Sequence, residues 1–341
     1  MFIKAVVKIK AFVPTYFDKF RCIADKCPDT CCIGWEVDID DETAEKYSSL
    51  TGEISNKINK HLTRDETECN IFTLCDGDRC PFLNNCNLCE IHLEAGESFL
   101  SRTCTLFPRF YDDFGETREM GLGFGCPEAA RILLSEEESF SLKFYEENSD
   151  EAEDIDEDFL NELLNLRNNI FHTLQDESLS FRNKIEITLN LAKDFQNDID
   201  GGLYDEKQNR TFGDCIKVLE NMEYINNERK LFLKNLKNIS NSENIFNDYK
   251  NDFEKLMTYY IFRYLLKAVY DYDVLTKVKY GIFACIVISR IYAYFKDPDF
   301  ETRAKIMYSY SKEVEYSDLN MDILDDMMYG SFGTEDLISL I

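Results

Sequence analysis

Residues 159–174 read Phe-Leu-Asn-Glu-Leu-Leu-Asn-Leu-Arg-Asn-Asn-Ile-Phe-His-Thr-Leu. Phe159, Leu160, Leu163, Leu164, Leu166, Ile170 and Leu174 recur at near-helical spacing, which puts an apolar stripe on one face of a helix. Further along, Ile185, Ile187, Leu189, Leu191 and Phe195 suit a helix or an alternating strand. Helices are also expected from Phe212 to Leu236, Ile245 to Tyr272, Val274 to Phe295 and Phe300 to Val314. The chain has 341 residues, of which only 14 are Gly and 6 Pro, so breakers are scarce and a mainly α fold is expected. Tyr259, Tyr260, Phe262, Tyr264, Tyr270 and Tyr272 form an aromatic stripe. It is expected to be core with hydroxyls reaching the surface; the alternative is a channel for a lysine side chain.

Working back from residue 159, the composition changes. Ser135 to Leu160 holds 12 acidic residues and one lysine, a self-repelling block that reads as a linker or exposed loop over 135–158. Before it, residues 1–134 hold 11 of the 13 cysteines, in short elements with many turns. The expected organisation is a cysteine-rich metal domain (1–134), the acidic linker (135–158) and a helical domain (159–341). The remaining cysteines, Cys215 and Cys285, fall in helical stretches and read as core.

The formal net charge is −27, which disfavours nucleic acid and anionic lipid and favours basic partners. It is uneven: residues 1–134 carry 15 Lys+Arg against 23 Asp+Glu (−8), and the rest carry 23 against 42 (−19). No segment reads as a membrane span; the run from Gly281 to Ser289 is too short and meets Arg290. The opening MFIKAVVKIKAF lacks the order of a signal peptide. A cytoplasmic protein is therefore expected. A disulfide framework would not persist there, so dense thiols point to metal or redox chemistry.

The thiols fall in groups: Cys22-x4-Cys27-x3-Cys31-Cys32-x2-Trp35, Cys80-x5-Cys86-x2-Cys89-x2-His92, Cys104 before Phe107-Pro108-Arg109, and Cys126 before Pro127-Glu128. Closely spaced thiols present two sulfurs to one ion, and distant pairs close the shell. Proline after Cys27, Cys80 and Cys126 suits both Fe–S loops and helix starts. The ligand pool is Cys22, Cys27, Cys31, Cys32, Cys80, Cys89, Cys104 and Cys126. Cys69, Cys75 and Cys86 read as spare or packing thiols. With only His61, His92 and His172 present, a histidine-rich zinc site is excluded. Spacing leaves zinc and an iron–sulfur cluster open.

Cys27-x3-Cys31-Cys32-x2-Trp35, Cys80-x-Phe82-Leu83, Cys89-x-Ile91-His92, Gly96-Glu97-x2-Leu100, Thr103-Cys104-x2-Phe107-Pro108-Arg109 and Cys126-Pro127-Glu128-x-Ala130-Arg131 together resemble the flagellin lysine-N-methylase (FliB) family. The CxxxCC core also resembles the wider YkgJ-type metal-chelating family. The first resemblance implies a methyltransferase that N-methylates lysine side chains of flagellin in bacterial flagellum assembly. It also implies S-adenosylmethionine as donor and a 4Fe-4S cluster. The alternatives from other classes are a non-enzymatic zinc-binding interaction module and an Fe–S redox protein.

Methyl transfer needs a neutral lysine amine. The candidate catalytic residues are His92, Arg109 and Trp35. His92 is expected first as a partner fixing the Cys89 loop. Arg109 could clamp a cofactor carboxylate or pair with Glu128; Trp35 could face a sulfonium or shield a cluster. Glu128 and Arg131 read as a local ion pair. Gly121-Leu-Gly123-Phe-Gly125 mimics a nucleotide-binding turn, but the charged segment before it is no apolar strand, so it is discounted.

Overall fold

The computed structural model describes residues 7–149, 153–201, 207–237, 239 and 243–341. Residues 1–6 of the N-terminal run and 150–152 of the acidic block lie outside the described residues. In the first part of the chain, strand β1 (Val7–Pro14) leads through short 3₁₀ turns to helices α1 (Asp41–Tyr47) and α2 (Gly52–His61). The hairpin of β2 (Leu62–Arg64) and β3 (Asn70–Phe72) follows, then α3 (Glu90–Ala95) and α4 (Arg102–Leu106). Strands β4 (Arg109–Phe114) and β5 (Thr117–Leu122), helix α5 (Pro127–Ser135) and strand β6 (Leu142–Ser149) complete it.

The long strands form one sheet in the order β4-β5-β1-β6. β1 runs parallel to β5 and antiparallel to β6. Here the acidic stretch departs from the expected exposed linker, because residues 142–149 are a strand. Glu146 lies opposite Lys10 of β1 in register and pairs with Lys8 at 3.1 Å, and Glu147 pairs with Arg118 of β5 at 3.3 Å. Charge repulsion within the block is relieved by pairing across strands.

The second part is helical: α6 (Glu157–Gln175), α7 (Phe181–Asp200), α8 (Phe212–Asn221), α9 (Asn227–Leu236), α10 (Glu243–Asp248), α11 (Lys250–Tyr264), α12 (Ala268–Asp271), α13 (Val274–Phe295), α14 (Phe300–Val314), α15 (Asp318–Gly330) and α16 (Thr334–Leu340). The mainly α expectation holds. Start signals are local: Asp156, Ser180, Asp273, Asp299 and Ser317 each accept an amide of the first turn, satisfying a donor the helix leaves open. The ambiguous 185–195 segment is helical. Its Ile185, Leu189 and Ala192 are fully buried while Ile187 is exposed, which is a helical pattern rather than a strand's. The expected 212–236 helix breaks in two, because Asn226 caps a new start by accepting the Glu228 amide at 2.8 Å.

Two cores matter for the site. The larger surrounds α13, which packs against α7, α11 and α15 and is buried along most of its length. It takes in Phe114, Leu122, Phe124 and Cys126 from the first part. A smaller core of Val37, Ile39, Tyr47, Ile54, Ile58, Phe72, Phe82 and Ile91 sits beneath the thiol loops, with Trp35, Cys80 and Cys89 packed on it. Each such side chain contributes roughly 1.5–3 kcal/mol by leaving water, so this core holds irregular loops that have little secondary structure of their own. β5 is fastened to α6 inside the protein: Arg167 pairs with Glu119 at 2.7 and 2.6 Å, both nearly fully buried.

Candidate metal centre

Backbone bonds lace the thiol loops together. The Cys80 amide donates to the Cys32 carbonyl at 2.8 Å, and the Gly34 amide to the Asp78 carbonyl at 2.9 Å. Bridges join Ile33 to Arg79 and Leu83 to Cys89. The Arg79 guanidinium donates to the carbonyls of Leu83 (3.2 Å) and Asn84 (2.6 Å), fixing the turn after Cys80. Gly34 has φ +106°, and a Cβ there would meet Ile225 at 2.2 Å. This glycine therefore allows both the turn and a close approach by the helical part.

The sulfurs are presented in one recurrent way. Cys89 and Cys126 occupy the positions just before the first turns of α3 and α5, without a side-chain cap hydrogen bond. Backbone amides lie against the sulfurs: Asp29 on Cys27, Phe82 on Cys80, Ile91 and His92 on Cys89, Glu128 and Ala129 on Cys126. In Cys27-Pro, Cys80-Pro and Cys126-Pro the proline has no N–H and a fixed φ. The amide after it is then the first available to the sulfur. Such donors favour a thiolate.

The pool divides. Cys32 is the common electrostatic neighbour of Cys80, Cys89 and Cys104. Cys22 and Cys27 face each other and Cys126. Cys31 lies between, hydrogen-bonded to Cys32 and facing Cys104 and Cys126. Burial raises the thiols of Cys27 and Cys89, and pushes Cys80 and Cys126 up to about 12 and Cys104 up to about 11. Cys32 is lowered, first by its hydrogen bond with Cys31, then by Thr30 and by the charges of Arg79 and Lys312. Cys31 and Cys104 are exposed to solvent.

Among the described residues, no three His, Cys, Asp or Glu side chains are gathered closely enough to hold one ion. The donor chemistry still fits a thiophilic metal. Several neighbouring thiols, held protonated by burial and backed by amides and two cations, become stable thiolates only when a cation replaces the protons.

Cys69, Cys75 and Cys86 are exposed, so they are not packing thiols. Cys215 and Cys285 are fully buried, as expected of core. The His92 imidazole is exposed; its amide, not its ring, serves Cys89. Arg109 lies over the rings of Phe20 (4.9 Å) and Phe17 (5.8 Å) instead of on Glu128. Glu128 pairs with Arg131 at 3.5 Å as the spacing suggests. Trp35 stacks on Tyr316 at 5.7 Å, contacts Phe107 at 5.9 Å and lies under the Lys312 ammonium at 4.9 Å. It packs at the seam between the thiol loops and α14.

The glycine run 121–125 serves that seam too. A Cβ at Gly123 would fall 1.9 Å from the Tyr316 hydroxyl, and one at Gly125 2.5 Å from the Tyr316 ring. The glycines admit an aromatic side chain, so no nucleotide turn is needed to explain them. The tyrosine stripe also differs from expectation. Tyr259, Tyr260 and Tyr264 turn their hydroxyls inward onto buried Glu315, at 2.8, 3.1 and 2.8 Å. Arg263 donates to the Tyr259 hydroxyl at 2.6 Å and lies over the Tyr316 ring. Tyr270 and Tyr272 are exposed. Lys312, Glu315 and Tyr316 carried no local sequence signal; only the fold brings them to the seam.

No helix among the described residues is long and apolar enough to cross a membrane. The family model for the FliB lysine N-methylase C-terminal domain matches residues 130–340. Among curated proteins, the lysine-N-methylase of Salmonella typhimurium is 28% identical over 134 residues, covering 38% of this chain and 33% of the relative. The lysine-N-methylase of Salmonella choleraesuis matches with the same identity and coverage. The flagellar biosynthetic protein FliU of Salmonella muenchen is 26% identical over 134 residues, covering 38% of this chain and 79% of the relative. The match thus spans about a third of the length of the two lysine-N-methylases. No solved structure matches.

Proposed function

We propose that this chain, which belongs to the FliB lysine N-methylase family, transfers methyl groups to lysine side chains of flagellin. The observation that carries the reading is the family match over residues 130–340. The relatives' names, lysine-N-methylase and flagellar biosynthetic protein, agree with it. The reaction joins the methyl carbon of S-adenosylmethionine to the lysine Nζ. It breaks the carbon–sulfonium bond and releases one proton from the amine, leaving S-adenosylhomocysteine. Membership of a cytoplasmic system acting before flagellin export fits the acidic chain, which attracts exposed lysines.

Cys32, Cys80, Cys89 and Cys104 are the set we assign to a 4Fe-4S cluster, because Cys32 neighbours the other three. When bound, the cluster supplies a site of electron or Lewis-acid chemistry beside the seam. The chain's own part is to hold the thiolates, with amides at Phe82, Ile91 and His92 and the cation of Arg79. A cavity of about 550 Å3 is lined by Tyr259, Tyr16, Phe140, the acidic run Glu136 to Glu138, Glu254 and one cation, Lys255. Its acid and aromatic walls suit a lysine-bearing segment.

The test is coexpression with flagellin, followed by mass mapping of lysine methylation, and a purified assay with labelled S-adenosylmethionine. Methyl-lysine appearing only with intact chain and donor supports the reading. Unmodified flagellin with a metal-loaded chain and donor present sinks it. Anaerobic iron, sulfide and zinc analysis separates the cluster from a zinc-held module.

A further inference from the structure

The thiol loop that carries Cys27, Cys31 and Cys32 is gripped by a lysine from the far end of the sequence. Lys312, on α14, is 4% exposed. Its ammonium donates to the Thr30 carbonyl at 2.8 Å and to both oxygens of Asp29 at 3.3 Å, and it sits 4.9 Å over the Trp35 ring. All three contacts lie on the thiol loop. The grip passes on to the sulfurs. Asp29 accepts the Thr30 amide at 2.7 Å, and the Thr30 hydroxyl accepts the Cys32 amide at 3.1 Å. The Asp29 amide lies against Cys27, and Thr30 against the Cys32 sulfur.

The seat of this lysine is itself braced. Glu313, beside it on α14, accepts the Ile225 amide at 2.8 Å and the Arg229 guanidinium at 2.6 Å. Arg229 reaches Asp29 at 3.9 Å. Ile225 is the side chain against which Gly34 is fitted. A buried ammonium is costly unless charge and hydrogen bonds offset it. Here one carboxylate, one carbonyl and a tryptophan face do so, and the neighbouring sulfurs gain most from a cation when they are ionised. Four thiolates would leave a net negative site whether they held a divalent ion or a 4Fe-4S cluster, and a fixed positive charge close by would stabilise it.

We propose that Lys312 is a positioning residue of the thiol centre: the helical region supplies an ammonium that sets the Asp29–Thr30 turn and thereby the placement of Cys27 and Cys32. The inference rests on the reading of Cys32 as a metal ligand, with Cys27 beside it on the same turn. It assigns the family-matched part of the chain a direct hold on a centre whose ligands lie outside residues 130–340.

The test is anaerobic titration of the whole chain with Co2+, read by thiolate-to-cobalt absorption and by competition with a chelator. Lys312→Met, which keeps length and removes charge, is expected to lower Co2+ affinity 10–100-fold, the range for loss of a group supporting metal ligands. Lys312→Arg, which retains a donor and a charge, is expected to recover most of the affinity. Asp29→Asn weakens the same contact from the loop side and is expected to move affinity in the same direction, which covers the case of a Met variant that does not fold. Wild-type affinity and spectrum in Lys312→Met or in Asp29→Asn overturn the inference while leaving the metal reading intact. A metal-freed wild-type chain that takes up neither Co2+ nor, on reconstitution, iron and sulfide overturns both.

Discussion

Arg167→Met tests the way the sheet is fastened to the helices. Glu119 and Arg167 form a two-pronged pair at 2.7 and 2.6 Å, with side chains 2% and 3% exposed. The guanidinium also lies 5.6 and 5.7 Å from the rings of Phe262 and Phe171. Removing it leaves a carboxylate in the interior with no countercharge, a change that costs about 3–5 kcal/mol. Burial already raises the Glu119 carboxyl above its ordinary value, and Arg167 is the main group opposing that rise. In the variant the folded state therefore holds the proton more tightly than the unfolded chain does. Its stability deficit shrinks as pH falls, and grows as pH rises through the folded-state value. The double variant Glu119→Met/Arg167→Met removes both charges at similar volume and should cost much less than the single change. Urea unfolding followed by circular dichroism, at pH 5.5 and 7.5, measures all three. A single-variant cost below about 1 kcal/mol, or the same deficit at both pH values, would refute the argument.

Three further outcomes are expected. Alanine at Cys32, Cys80, Cys89 or Cys104 should each cut bound metal sharply, whereas alanine at the exposed Cys69, Cys75 or Cys86 should leave it unchanged; metal analysis after anaerobic purification decides. Gly125→Ala places a Cβ 2.5 Å from the Tyr316 ring, which should cost about 1–3 kcal/mol and disturb the near-ultraviolet spectrum of the Trp35–Tyr316 stack. Glu315→Gln keeps the shape but trades a charged acceptor for an amide beneath three tyrosine hydroxyls. A loss of about 1–3 kcal/mol by chemical denaturation is expected, and a neutral result would show that the hydroxyls find other partners.

Much of the helical part was legible from periodicity. Val274 to Phe295 and Phe300 to Val314 are helices with the expected bounds: Asp273 and Asp299 cap the two starts, and apolar residues dominate the first helix despite Lys277, Lys279 and Arg290. Strand β6 was hidden because its glutamates read as solvated charge, and the cations that answer them lie in other strands: Lys8 and Lys10 in β1, more than a hundred residues earlier, for Glu146, and Arg118 in β5 for Glu147. The candidate ligands were visible as cysteines with turn-forming neighbours. Their supports were not: Glu315, Tyr316 and Lys312 sit at the end of an ordinary helix, and their meaning depends on which loop the chain returns to. Glycines 121–125 looked like a ligand turn for the same reason, since a glycine pattern records that something approaches the backbone but not what.

The order of strands in the sheet also bears on synthesis. β1 is made before its neighbours β5 and β6, which come roughly a hundred or more residues later, so it waits unpaired while the thiol loops are translated. Closing so long a loop carries an entropic cost that grows with its length. Any link among the thiols inside that loop shortens the stretch that must be closed. Occupation of the thiol centre during translation would thus hasten completion of the sheet, and a cell starved of the ion would leave nascent chains with an open strand edge for longer.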